Sequence, residues 1–197
     1  MALIESKAPA DPLTLFRRWY REAQAAGAPQ PEAIALATTG SAGPSVRMVL
    51  FKDLKDGSFV FYSNYDSRKG RDLAEDGRAA IVFYWGATRH QVRVSGTARR
   101  LDRKASLAYF RGRPRGAQLS ALASRQSRVV RSRDVLERAV EKLAAQYPGD
   151  VPLPESWGGY VLRPRWIEFW ENREDRLHDR LRYVRRQGGW RIERLQP

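Results

Sequence analysis

Apolar residues recur along the chain at two different spacings, which separate predicted helices from predicted strands. Residues 12–26 follow a helical period, with Asp11 able to cap the helix, Pro12 at its first position and Gly27 at its end. The same helical period recurs at 102–113 and 132–147. Each of these segments is therefore predicted to be an amphipathic helix.

The remaining apolar segments have the lengths and alternation of strands. Residues 79–85 form a continuous apolar run, and residues 91–98 alternate polar and apolar side chains. Strands are predicted at 33–39, 45–52, 58–63, 79–85, 91–98, 159–162, 166–171, 181–186 and 190–195. Because strands follow one another through hairpin turns rather than alternating with helices, the pattern predicts a mainly antiparallel β fold, closed into a barrel with peripheral α-helices.

Composition predicts one folded domain in the cytoplasm. The 197 residues include 42% apolar side chains and six Trp, enough for a core, so residues 11–197 are predicted to form a single domain preceded by a flexible segment at 1–10. No apolar run approaches the ~20 residues of a membrane span, and no signal-peptide stretch opens the chain. We therefore predict cytoplasmic localisation and no membrane partner.

Residue types exclude several kinds of chemistry. The absence of Cys excludes disulfides, thiolate nucleophiles, zinc fingers and iron–sulfur clusters, and two His are too few for a metal site built on several imidazoles. His90 is expected to be an exposed loop residue without a role. The formal charge of +14 favours an anionic partner, which the charge alone leaves open between nucleic acid, an acidic membrane and phosphorylated small molecules.

Arg, Lys, Ser, Gln, Tyr and Trp near predicted strand ends are suited to holding phosphates and to stacking on a planar ring. They fall in five segments: Arg47-Met48-Val49-Leu50-Phe51-Lys52, Ser67-Arg68-Lys69-Gly70-Arg71, Tyr109-Phe110 with Arg113-Pro114-Arg115-Gly116, Ser124-Arg125-Gln126-Ser127, and Glu168-Phe169-Trp170 with Arg176-Leu177-His178-Asp179-Arg180. In this order and spacing they closely resemble the pyridoxamine 5′-phosphate oxidase family, and the resemblance covers nearly the whole chain. It implies an FMN-binding split β-barrel, a homodimer with two FMN sites at the subunit interface, and oxidation of pyridoxamine or pyridoxine 5′-phosphate to pyridoxal 5′-phosphate by O₂.

The resemblance also implies roles for individual residues. Cofactor contacts are expected from Arg47, Met48, Val49, Leu50, Phe51, Lys52, Tyr62, Ser63, Arg68, Lys69, Gln91, Gln126, Ser127, Trp170 and Arg180. The substrate phosphate is expected to be held by Lys52, Tyr109 and Arg113, and Arg176 and His178 are expected to flank the substrate ring and to serve catalysis. On the strand at 45–52, the contacts are expected from Arg47 and the backbone.

The sequence departs from the family pattern at several positions. Ala117 stands where a phosphate-binding Ser is usual, and Ser120 is the candidate substitute. Leu122 replaces a common Trp, Glu171-Asn172 replaces Gln-Gly, and residues 1–10 lack the Arg and Tyr that often cover the substrate. Two alternatives stay open: a flavin oxidase of another pathway, as in phenazine biosynthesis, and a basic nucleic-acid-binding barrel, although no nucleic-acid partner is our prediction.

Overall fold

The computed structural model describes residues 3–197. Within these residues, five α-helices and eight strands make up the fold. The helices are α1 (Pro12–Ala25), α2 (Arg68–Glu75), α3 (Arg103–Arg111), α4 (Arg115–Ala123) and α5 (Arg133–Gln146). The strands are β1 (Ala33–Thr38), β2 (Ser45–Lys55), β3 (Ser58–Asn64), β4 (Arg78–Trp85), β5 (His90–Arg100), β6 (Trp157–Glu171), β7 (Asp179–Arg186) and β8 (Gly189–Arg194).

All strand pairs are antiparallel and belong to one sheet. Its order is β3-β2-β1-β4-β5-β6-β7-β8, and a further pairing of β3 with β6 closes the first six of these strands into a barrel. Strands β7 and β8 extend the sheet beyond the closure. The predicted fold class, a mainly antiparallel split barrel with peripheral helices, is confirmed.

One strand replaces two of the predicted ones. The sequence predicted strands at 159–162 and 166–171, but β6 runs without interruption through Pro164. The proline is accommodated because the pairing register between β5 and β6 shifts between Ser95 and Gly96, and a bulge tolerates a residue without an N–H donor. At this bulge a Cβ on Gly96 would lie 1.9 Å from the carbonyl oxygen of Arg163, so a side chain there would force the strands apart.

Helix α1 packs its apolar side chains against the core of the barrel. The Asp11 carboxylate accepts a hydrogen bond from the Leu13 N–H at 3.1 Å, so the predicted cap is confirmed. Phe16, fully buried, packs edge-on against Phe59 and Phe83 with ring centroids 5.0 Å apart in both pairs. Burying aromatic rings of this size contributes much of the stability of the barrel.

His90 is half-buried rather than exposed as the sequence suggested. Its ring stacks on Trp19 of α1, with centroids 3.8 Å apart and planes 7° from parallel. Burial lowers the pKa of His90 to about 4. The difference arises because β5 begins at His90 itself, which brings its ring under the helix instead of into a loop.

The helices on the other side of the barrel form a smaller core. Helix α4 was not predicted as a separate element, because its N-cap position is Pro114 and no side chain caps this short segment. Phe110, Leu119, Val151 and Trp157 bury their side chains together there. This small core supports the wall of the largest cavity described below.

The segment before α1 contacts the barrel. Leu3 is buried, and the Arg194 guanidinium pairs with the Glu5 carboxylate at 2.6 Å. The flexibility predicted for residues 1–10 stays a prediction, and residues 1 and 2 lie outside the described part. Within residues 3–197, no helix combines the length and apolar character needed to cross a membrane.

Candidate active site

A cavity of about 900 Å³ lies between β2, β3, α3 and the loop that follows α4. Most residues of the first four motif segments meet there, although these segments are far apart in the sequence. Of the predicted site residues, those that line it are Arg47, Met48, Val49, Leu50, Lys52, Tyr62, Ser63, Lys69, Tyr109, Arg113, Gln126 and Ser127. The cavity is therefore the candidate active site, and these residues line it together.

Lys69 is a buried cation with neutral partners. Its ammonium donates to Gln126 Oε1 at 2.9 Å, to Ser63 Oγ at 3.0 Å and to Ser67 Oγ at 3.2 Å, and its side chain pairs with no carboxylate within residues 3–197. Burial, together with the nearby charge of Arg47, lowers the pKa of Lys69 to about 8. A buried charge with no opposite partner is costly, so an anion at this place would be strongly favoured.

The start of α2 fixes the position of Lys69. Ser67 caps the helix by accepting from the Gly70 N–H at 3.3 Å. A Cβ on Gly70 would lie 2.1 Å from the carbonyl oxygen of Tyr65, so glycine lets the helix start against that backbone. The capped first turn therefore directs Lys69 into the cavity.

Arg68, the other half of the predicted Arg-Lys pair, does not line the cavity. One of its terminal nitrogens donates to the carbonyl oxygen of Ala42 at 3.2 Å, in the loop between β1 and β2. Its Nε is buried with no hydrogen-bond partner within the described residues. The direct cofactor contact expected for Arg68 stays a prediction.

Arg47 is held by a buried polar network. Its guanidinium donates to Thr38 Oγ1 at 2.7 Å and to the Leu36 carbonyl at 3.0 Å, and it lies 3.6 Å from the Asp72 carboxylate. Thr38 in turn donates to Asp72 at 2.6 Å. Burial lowers the pKa of Arg47, and Asp72 opposes that effect. Asp72 thus compensates the charge of Arg47 and fixes its orientation.

Side chains along β2 alternate in burial, and residues of both faces line the cavity. Arg47 and Val49 are partly buried, whereas Met48, Leu50 and Lys52 are exposed on the opposite face, as the period of two predicts. Phe51 is different because its side chain is buried in the barrel core against Phe16 and does not line the cavity. A ligand contact of Phe51 would therefore involve its backbone.

Lys52, Tyr109 and Arg113, the predicted phosphate clamp, all line the cavity, the last two on its α3 side. The Arg113 guanidinium stacks on Trp157 with its carbon 4.6 Å from the ring centroid, and burial lowers the Arg113 pKa. Its Nη1 is buried and has no hydrogen-bond partner among residues 3–197. Tyr109 stacks on Tyr62 at 3.7 Å. Arg113 therefore has an unused donor beside the cavity, which an anionic ligand would satisfy.

Ala117 and Ser120 lie outside this clamp. Neither residue lines the cavity, and the Ser120 hydroxyl donates to the Gly116 carbonyl at 2.7 Å. This helix-internal bond occupies the hydroxyl that was expected to substitute for the missing family serine. The sequence could not reveal it, because the face of α4 that meets the cavity depends on how the helix packs.

Besides Phe51 and Arg68, five predicted site residues do not line this cavity: Gln91, Trp170, Arg176, His178 and Arg180. They form a second group at the far end of the sheet, where Trp170 is paired with Gln91 on one side and with Arg180 on the other. The Trp170 and His178 rings lie 4.7 Å apart. The structure thus divides the predicted site into two groups within one chain.

Backbone contacts and a buried carboxylate orient this second group. His178 Nδ1 accepts from the Arg173 N–H at 3.0 Å, so the neutral ring carries its proton on Nε2. Arg176 has a φ of 67°, a left-handed conformation that is unusual for a residue with a side chain. Arg180 donates through two nitrogens to buried Glu168, at 2.7 and 2.9 Å.

Comparisons with known proteins identify the family. A family model described as pyridoxamine 5′-phosphate oxidase matches residues 20–147, and one described as the pyridoxine 5′-phosphate oxidase C-terminal dimerisation region matches residues 157–197. The chain belongs to the pyridoxamine 5′-phosphate oxidase family. This confirms the resemblance that the five motif segments suggested.

Relatives and solved structures agree with this family assignment. Proteins named pyridoxine/pyridoxamine 5′-phosphate oxidase are 51% identical in Rubrobacter xylanophilus, over 99% of this chain and 91% of the relative, and 50% identical in Salinibacter ruber, over 95% and 89%. PhzG from Burkholderia lata, solved with tetrahydrophenazine-1-carboxylic acid, is 36% identical with a TM-score of 0.93 and covers 100% of this chain and 98% of its own. A pyridoxamine 5′-phosphate oxidase-related FMN-binding protein from Nostoc punctiforme, 20% identical over 92% of this chain and 97% of its own, shares the fold with a TM-score of 0.74.

Sequence reasoning missed the residues that hold the predicted site arginines Arg47, Arg180 and Arg113 in place. Asp72, Glu168 and Thr38 orient the two predicted arginines, and Trp157 carries Arg113. A partial signal was present, since Asp72 lies three residues after Lys69 on the same short helix, a spacing that places both side chains on one face. Glu168 was quoted in a motif segment but was given no role.

Proposed function

We propose that this protein is an FMN-dependent oxidase that converts pyridoxamine or pyridoxine 5′-phosphate to pyridoxal 5′-phosphate with O₂ as electron acceptor. The supporting observation is that one cavity carries two separate cationic groups, Lys69 with Arg47 and Arg113 with Lys52. Two phosphorylated molecules, a cofactor and a substrate, would each require one such group. Relatives named for this activity at 50–51% identity support the same proposal.

The residues around Lys69 fit the phosphate end of FMN. Ser63, Ser67 and Gln126 are neutral partners, so the ammonium keeps its charge for an anion. A charge-assisted contact to phosphate would relieve the cost of burying this lysine. FMN, when bound, supplies the two-electron redox chemistry that the side chains of this protein lack.

Arg113, Tyr109 and Lys52 would hold the substrate phosphate. The stack of Arg113 on Trp157 and of Tyr109 on Tyr62 limits the motion of both side chains before substrate arrives. Holding a phosphate at a fixed distance from the reacting carbon orients the substrate ring, which is the contribution that a protein makes when its cofactor carries the chemistry.

A homodimer would bring the two groups of site residues together. Directly opposite residues on paired strands share a face of the sheet. One row of such residues consists of Tyr84, Gln91, Trp170 and Arg180, and a second row runs from Met48 through Ala35 and Val82 to Arg93. Because Gln91 and Arg93 are two residues apart on β5, both rows lie on the same face. Val46, Met48 and Tyr84 leave 63–67% of their surface exposed on this face.

A two-fold pairing of that face would set the second group of one copy against the cavity of the other. It would also bury exposed apolar side chains, which is the usual driving force for such an interface. The second group lies entirely within, or is paired to, the region that the family model describes as the dimerisation region. Arg176 and His178 would then flank the substrate ring of the opposite site.

A phenazine-type oxidase is the second candidate, because the likeness to PhzG extends over the whole chain at a TM-score of 0.93. The ligand in that structure, tetrahydrophenazine-1-carboxylic acid, has a carboxylic acid group and no phosphate. The unpaired Arg113 donor favours the phosphorylated substrate, since a phosphate offers more acceptor oxygens to the clamp.

The test compares Arg113→Ala with Arg111→Ala in the flavin-loaded protein. Arg111 is an exposed arginine at the end of α3, two residues before Arg113, and does not line the cavity, so it matches the change in charge. Oxygen uptake and pyridoxal 5′-phosphate formation are measured with pyridoxamine 5′-phosphate. We expect Arg113→Ala to raise KM about 10- to 100-fold, from ~1.5–3 kcal/mol for a hydrogen bond to a charged group, and Arg111→Ala to leave it unchanged. Equal turnover of unphosphorylated pyridoxamine, or oxidation of a reduced phenazine carboxylic acid alone, would contradict the proposal.

A further inference from the structure

A second cationic cleft, of about 530 Å³, lies where β5, β6 and β7 meet at the other end of the barrel face. Four arginines line it: Arg99, Arg163, Arg165 and Arg185. No Asp or Glu is among its lining residues, and none of the lining residues is shared with the candidate active site.

The bulge in the β5–β6 pairing builds this cleft. The register shift between Ser95 and Gly96 places Arg163 opposite Thr97 and leaves Arg165 as the extra residue beside the bulge. Arg185 is fixed in place because its Nε donates to the Pro164 carbonyl at 3.2 Å and its guanidinium lies 4.6 Å from the centre of the Trp190 ring. One donor group of the cleft is therefore held in position by the fold.

The charges of the cleft are uncompensated, unlike those of neighbouring arginines. Farther along the same strands, Arg93 and Arg180 pair with Glu168, and Arg182 pairs with Glu193. Within residues 3–197, none of the four cleft arginines forms an ion pair. Guanidinium groups stay charged at any physiological pH, so their mutual repulsion persists until an anion neutralises it.

We propose that this cleft is a binding site for a small oligophosphate, a ligand carrying at least two linked phosphate groups. Four positive charges call for a ligand with several negative ones, and the planar fork of arginine matches phosphate oxygens. The volume lies in the range of small-molecule sites. No aromatic side chain is among the lining residues, and Arg185 lies over the ring of nearby Trp190, so the cleft would recognise the phosphate chain itself rather than a base.

The site is distinct from the flavin and substrate groups. Ser58 of the cleft lies four residues along β3 from Tyr62 of the cavity, about 13 Å of strand, and Thr97 lies six residues along β5 from Gln91 of the second group, about 20 Å. A ligand of this size in the cleft would therefore leave the candidate active site free, and the proposal does not depend on the oxidase function.

The test is calorimetric titration of the FMN-loaded protein with inorganic tripolyphosphate. Arg163→Ala with Arg165→Ala removes two cleft charges, and Arg131→Ala with Arg138→Ala removes two exposed charges elsewhere as the matched control. We expect the cleft pair to raise Kd at least about tenfold, the effect of losing one charge-assisted hydrogen bond, and the control pair to raise it less than about threefold. The same difference is expected in an Arg113→Ala background, where the proposed clamp is disabled.

Titrations with other ligands show which chemical group the cleft recognises. ATP binding with the affinity of tripolyphosphate would support a site for the phosphate chain, whereas ATP binding far more tightly would overturn that assignment. No tripolyphosphate binding, or equal loss in the two variant pairs, would overturn the proposal, because the charge would then act diffusely. A single-stranded oligonucleotide that binds more tightly than tripolyphosphate and depends equally on both pairs would overturn it in favour of a nucleic-acid surface. Equal thermal midpoints of the variants exclude misfolding as the cause.

Discussion

The affinity of the apoprotein for FMN should fall as pH rises through the titration of Lys69. The structure lowers the pKa of this lysine to about 8 by burial and by the charge of Arg47. Its hydrogen-bond partners, Ser63, Ser67 and Gln126, do not titrate in this range. The FMN phosphate, with a second pKa of about 6, is almost completely ionised above neutral pH, so the change comes from the protein.

The magnitude follows from proton linkage. If FMN binds only the form in which Lys69 is protonated, the apparent Kd is multiplied by the factor 1 + 10^(pH − 8). FMN binding is therefore about tenfold weaker at pH 9 than at pH 7. The sign is fixed because the bound phosphate favours the charged lysine, so the complex takes up a proton at high pH. Stability of the complex is therefore lost as pH rises above 8, not as it falls.

Flavin fluorescence titration of the apoprotein between pH 7 and 9 measures this effect. Lys69→Met supplies the control, since it cannot titrate, and we expect it to bind FMN about 10- to 100-fold more weakly at pH 7 with a flat pH profile. A flat profile for the unaltered protein, or the same slope in Lys69→Met, would refute the assignment of Lys69 to the phosphate.

Three further predictions concern the support of the site, its assembly and its catalysis. Asp72→Asn removes the counter-charge of Arg47 and should lower the free energy of unfolding by about 3 kcal/mol, a drop of about 6–12 °C in Tm, and an unchanged Tm would show that the buried pair is not stabilising. Met48→Glu should convert the dimer to monomers in light scattering and reduce activity, whereas Val129→Glu, at a fully exposed position, should do neither; a dimeric Met48→Glu protein would argue against the proposed interface. His178→Ala should lower kcat/KM about 10- to 1000-fold with an unchanged flavin spectrum and Tm, and insoluble protein instead would assign this residue to folding.

The fold could be predicted from the sequence because its determinants are local. The period of two along β2 and β5, the capping Asp11 and the hairpin turns each act within a few residues. The errors fall where a distant contact outweighs the local preference. Pro164 does not interrupt β6 because a bulge opposite β5 accepts it, and His90 is buried because α1 packs over it.

The candidate site could be predicted in its residue types but not in its arrangement. The motif segments predicted ligand contacts for Arg47, Arg113 and Arg180, yet they could not distinguish the charges that are compensated from those that are free. That distinction depends on pairs far apart in the sequence. Arg180 meets Glu168 across two strands, whereas Arg113 rests on Trp157 and keeps a donor unsatisfied.

The distribution of counter-charges distinguishes residues suited to orient a ligand from residues suited to bind an anion. A guanidinium whose charge is balanced by a buried carboxylate, as Arg47 is by Asp72, has fixed geometry and little net charge, so it is suited to orient a ligand through hydrogen bonds. Lys69 and Arg113 lack such a partner, and burial lowers the pKa of both, so an anion is needed to complete their surroundings. We therefore expect the affinity for phosphate to depend most on Lys69 and Arg113. The orientation of a bound ring should depend instead on Arg47 and Arg180, which buried carboxylates hold in place.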